Sequence, residues 1–91
     1  MTKGESEKMH LKRLFQYTKF RSRSDEDIHN TLSTRINGSD TITALAPIDK
    51  ISVEQINENQ DKVTFIYDDY SYCMIMTWAK SENGFTLVEV E

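Results

Sequence analysis

The chain predicts an α+β domain, with two N-terminal helices packed on one face of a four- to five-stranded antiparallel meander. Three observations lead there. Apolar residues recur every three or four positions up to about residue 36, and after Gly38 the period falls to two. The connections between the later segments are too short for parallel crossovers, so successive strands must pair antiparallel. Ninety-one residues suit one core, because either half alone would bury too little apolar surface to offset the entropy of ordering it; residues 1–91 are therefore read as a single small domain.

The first helix is expected over about residues 5–21, where Leu11, Leu14, Phe15 and Thr18 fall within one arc and Lys8, Lys12, Lys19 and Arg23 on an adjacent one. A second helix, over about 25–36, starts from Ser24 as N-cap. Asp25, Glu26 and Asp27 follow beside the positive helix end, and Asp27 is placed for a capping box. Its buried stripe is Ile28, Leu32 and Ile36, and Asn37-Gly38 is its stop.

Strands are expected within 41–90, at 41–45, 51–56, 62–67, 72–79 and 85–90, each rich in β-branched and aromatic residues and bounded by polar punctuation. Residues 51–56 also admit a helical turn, with Ser52 as a cap. If Tyr67 pairs with Tyr72, then Val63, Phe65, Tyr67, Tyr72, Met74, Met76 and Trp78 share one heavy face that needs a cover; the two helices supply it. Asn83-Gly84 folds the last segment back with Val88 and Val90 beside Trp78 and Met76, leaving Glu89 and Glu91 on the other side.

Charge is unevenly spread: residues 1–37 sum to +3 and residues 38–91 to −7. Within the first part, KMHLKRLFQYTKFRSR (residues 8–23) carries six basic residues, three aromatics and no acid. The plain explanation is a solvated helix face, or one turned toward the acidic strands. The functional explanation is a partner surface through Lys8, Lys12, Lys19 and Arg23, with Tyr70 at a hairpin tip as an aromatic contact. Cations interleaved with Phe15, Tyr17 and Phe20 also suit single-stranded nucleic acid, whereas a helix-turn-helix is excluded by the acids opening the second helix.

Signals for catalysis are weak, with no glycine-rich phosphate loop, no CxxC and no HExxH spacing. Cys73, mid-strand, is expected to be a small buried thiol. His10 and His29 lie on different helices without a second ligand one turn away, so neither a metal nor another cofactor is expected. A lone cysteine, no apolar N-terminal signal core and no run of about 20 apolar residues give the expectation of an intracellular, cytoplasmic protein that does not cross a membrane. The functional expectation is a small non-enzymatic module that binds another protein, as an adaptor, regulator or inhibitor; the alternative is nucleic-acid binding by the basic N-terminal helix.

Overall fold

The computed structural model describes residues 3–37 and 48–91. In chain order the elements are α1 (Lys3–Phe15), β1 (Lys19–Phe20), α2 (Asp25–Asn37), β2 (Asp49–Asn57), β3 (Gln60–Tyr67), β4 (Tyr70–Ser81) and β5 (Gly84–Val90). The strands form one antiparallel sheet in the order β1-β5-β4-β3-β2, with the helices on one face. The α+β class and the meander from β2 to β5 are as the sequence implies. The strand expected at 41–45 lies outside the described residues. Residues 51–56, which also admitted a helical turn, are strand.

The core is the heavy sheet face. Val63, Phe65, Tyr72, Met74, Met76 and Trp78 are buried against Leu11, Phe15, Ile28, Leu32 and Ile36 of the helices, and Tyr67 packs at its margin. Phe15 meets Phe65 edge-on, with ring centroids 6.4 Å apart. Among the described residues no helix covers the opposite face, and Cys73, expected to be buried, is exposed there: odd-numbered β4 residues point away from the helices.

The first helix stops well short of residue 21. In a continuous helix Phe15 and Phe20 would stand about 140° apart, so both could not face the sheet. The chain instead leaves the helix after Phe15 and returns as β1, where Phe20 is buried and meets Trp78 edge-on at 4.8 Å. Pairing on β5 (Lys19 with Thr86, Phe20 with Phe85) satisfies the backbone that helix would otherwise have satisfied.

Two registers differ from expectation. Tyr67 pairs with Tyr70 and Phe65 with Tyr72, because Asp68 and Asp69 both adopt positive φ (54° and 66°) and close a two-residue turn of the kind that matches strand twist. A slip of two keeps every side chain on its face, so the expected core survives. In β5, a bulge at Val88 sets Leu87, not Val88, opposite Trp78, while Val90 still pairs with Met76. Leu87 is fully buried, and Val88 is the residue displaced by the bulge.

Both edges of the sheet are blunted. β1 is only two residues long, and β2 carries irregularities on both sides of its central ladder.

Candidate functional site

The site is assembled where α1 ends. Tyr17 takes φ +67°, a left-handed conformation that favours glycine and costs a bulky L-residue about 1–2 kcal/mol. Its N–H donates to Leu87 O (2.6 Å), and Leu87 N–H donates to Thr18 O (3.0 Å), so the bulged strand fixes the turn. Gln16 adds a side-chain bond from Nε2 to Val88 O (3.1 Å). With its backbone held this way, the Tyr17 side chain is 70% exposed, which is unusual for an aromatic.

From α2 comes the adjoining wall. The core stripe Ile28, Leu32 and Ile36 leaves Asp27, Asn30, Thr31, Thr34 and Arg35 on the flank of the helix. Together with Leu14, Thr18 and Arg21 they line an open groove of about 700 Å³. Arg35 Nε donates to Leu14 O (3.0 Å), a cation on the unpaired carbonyl end of α1 that also ties the two helices together. Asp27 accepts a hydrogen bond from the Ser22 hydroxyl, while its N–H donates to Ser24 Oγ (3.2 Å). Ser24 is therefore the expected N-cap, but the carboxylate of Asp27 turns to Ser22 and does not close a capping box. Arg21 is exposed and makes no hydrogen bond or ion pair among the described residues. The Thr18 hydroxyl is buried without a partner among them.

The residues expected at a partner surface are dispersed. Lys8 and Lys12 lie one turn apart on α1, Lys19 is exposed on β1, and Tyr70, 40% exposed, begins β4 at the hairpin tip. Arg23 is drawn into the fold. Its Nε and Nη2 grip Asp61 Oδ2 (2.8 Å) and Oδ1 (2.9 Å), and it also donates to the carbonyls of Asn57 and Glu58. Asp61, 3% exposed, accepts a further bond from Trp78 Nε1 (3.0 Å). The hydrogen bond to Asp61 raises the Arg23 pKa above its ordinary value despite an opposing desolvation, so the guanidinium stays charged. Arg23 is therefore a structural latch between the segment before α2 and the β2–β3 hairpin, with the Phe85 ring centroid 5.6 Å from its Cζ.

At the other end of α1, Glu7 Oε1 accepts the hydroxyl of buried Tyr72 at 2.6 Å. Burial first, then that bond to an acid, raises the Tyr72 pKa. Among the described residues no three His, Cys, Asp or Glu side chains stand together as metal ligands, and His29 Nε2 lies 2.7 Å from Ile48 O, a contact within the fold. No helix among them is long and apolar enough to cross a membrane. Comparison of the chain with protein-family models, with curated proteins and with solved structures finds no match.

Sequence reasoning missed Arg21 and Arg35 as lining residues of one groove, and Tyr17 as an exposed aromatic next to Thr18 in its wall. A signal was present in the five-residue spacing of Phe15 and Phe20, which no single helix face accommodates.

Proposed function

We propose that this chain is a small non-enzymatic protein-binding module, an adaptor, regulator or inhibitor, which receives its partner along the groove between the end of α1 and the flank of α2. One observation carries the reading: an aromatic side chain, 70% exposed, is held out by a backbone conformation that glycine would adopt at lower cost, and its chain neighbour Thr18 lines an open groove. Aromatic and arginine side chains are the commonest anchors of protein interfaces, and Tyr17 and Arg21 are of those types. The exposed thiol of Cys73 suits a reducing compartment, so we take the cytoplasm as the place of work.

The nucleic-acid alternative draws less support. Arg23 is spent on Asp61, and the other five cations of residues 8–23 are divided between α1 (Lys8, Lys12, Arg13), β1 (Lys19) and the turn after it (Arg21), in a molecule with net charge −4. Capture from an extract of the native cell tests the proposal. Wild type should retain a protein that the Thr31→Trp variant, with its groove filled, does not. Identical captures by the two would refute the groove as the binding surface.

A further inference from the structure

Resting on that reading, we infer that the groove takes an acidic segment of the partner, with Arg21 as its charge contact and Tyr17 as its apolar anchor. The charges in the groove point this way. Among the described residues that line it, the cations are Arg21 and Arg35, and the one acid, Asp27, already accepts the Ser22 hydroxyl. Arg21 has no partner of its own among the described residues, so its five N–H donors face solvent ready for carboxylates, which a guanidinium can hold through two parallel bonds. Asn30, Thr31 and Thr34 add amide and hydroxyl donors along the same wall.

Tyr17 supplies the second half of the recognition. It is the chain neighbour of Thr18 and lies three residues from Leu14, both of which line the groove. A partner that used only charge would gain nothing from it. An acidic segment carrying one large apolar side chain would use both features, the apolar group desolvating against the ring while carboxylates reach Arg21.

Selection of random dodecapeptides displayed on phage against the immobilised wild-type chain, at about 0.15 M salt, tests the inference. Selected clones should be enriched in Asp and Glu around a large apolar residue. A synthetic peptide of the selected sequence should bind about tenfold more weakly, or worse, to Arg21→Glu and to Tyr17→Gly. It should bind as well to Lys62→Glu, an equal charge change on the uncovered sheet face. Tyr17→Gly should melt at or above the wild-type temperature, because glycine adopts the left-handed conformation without strain, and this separates loss of an anchor from loss of the fold. Clones without acidic enrichment, acid-rich clones indifferent to Arg21→Glu, or a selection that enriches nothing would overturn the inference. So would tighter binding of a random single-stranded oligonucleotide than of any selected peptide. Neutral or basic clones, alongside capture from extract that Thr31→Trp abolishes, would overturn the acidic partner and leave the binding module standing; no capture at all would end both.

Discussion

Replacing Asp61 with alanine should be among the most damaging single changes to this fold, although the residue lies next to a surface turn. Asp61 is 3% exposed and its two oxygens accept three side-chain bonds, from Arg23 Nε, Arg23 Nη2 and Trp78 Nε1. Removing one partner of a buried ion pair generally costs about 3–5 kcal/mol, since the other charge stays desolvated and unpaired. Arg23 keeps its carbonyl acceptors on Asn57 and Glu58, which moves the expectation to the lower end. The buried indole N–H, left without an acceptor, adds about 1 kcal/mol or more. Asp61→Ala is therefore expected to lose about 3–4 kcal/mol. Asp61→Asn keeps the shape and one acceptor oxygen and should lose about 1–2 kcal/mol. Urea unfolding measures both. With a slope near 1–1.5 kcal/mol per molar for so small a domain, the alanine variant should unfold at roughly 2–4 M less urea than wild type. Trp78 is the only tryptophan, so its fluorescence reports from the altered site and far-UV circular dichroism reports the whole fold. Asp61→Ala unfolding within about 0.5 kcal/mol of wild type would show that the latch contributes nothing and that Arg23 is free for other work.

Three further outcomes are expected. Phe65→Ala should cost about 3–5 kcal/mol by thermal melting, because Phe65 is 1% exposed beneath Phe15; a variant melting with wild type would place the core elsewhere. Gly84→Ala should cost about 1–3 kcal/mol and speed amide exchange in residues 18–21, since a Cβ at φ +153° would lie 2.2 Å from Phe20 O; unchanged exchange there would mean that β1 can shift freely. The raised pKa of Tyr72 means that the folded state keeps the phenol proton to higher pH than the unfolded chain, whose tyrosines titrate near pH 10. Its contribution is whole below about pH 10 and is lost as the pH rises beyond it, so the wild-type melting temperature should fall more steeply above pH 10 than that of Tyr72→Phe; parallel curves would refute the coupling.

How much of this was legible in the sequence depended on range. The stripe Ile28, Leu32, Ile36 and the alternation through Val63, Phe65, Met74, Met76 and Trp78 are local periods, and each reads directly as a buried face. The β3–β4 register was displaced by two residues because the polar run 68–71 does not say which pair turns, yet the faces survived since the pleat repeats every two. Val88 misled for the opposite reason: one bulged residue reverses the alternation, and nothing in a run of apolar residues marks it. The end of α1 was set by tertiary pairing, with β5 drawing residues 17–20 off a helical pattern that propensity alone would have continued. Arg23 and Asp61 are 38 positions apart, and Asp61 reads as turn punctuation until the fold brings the latch together. The groove is likewise a property of packing, since Arg21 and Arg35 become neighbours of one hollow only when α1 stops at Phe15.

A photo-crosslinking amino acid placed at Thr31, in the wall of the groove, tests the proposed binding surface most directly, with the same group at Ser52 on the uncovered sheet face as its counterpart. In native extract the Thr31 probe should form one saturable adduct with a protein, suppressed by excess unlabelled wild type and not by excess Tyr17→Gly, while the Ser52 probe forms none. An adduct from Ser52 and none from Thr31 would contradict the groove and move the working surface to the open face of the sheet.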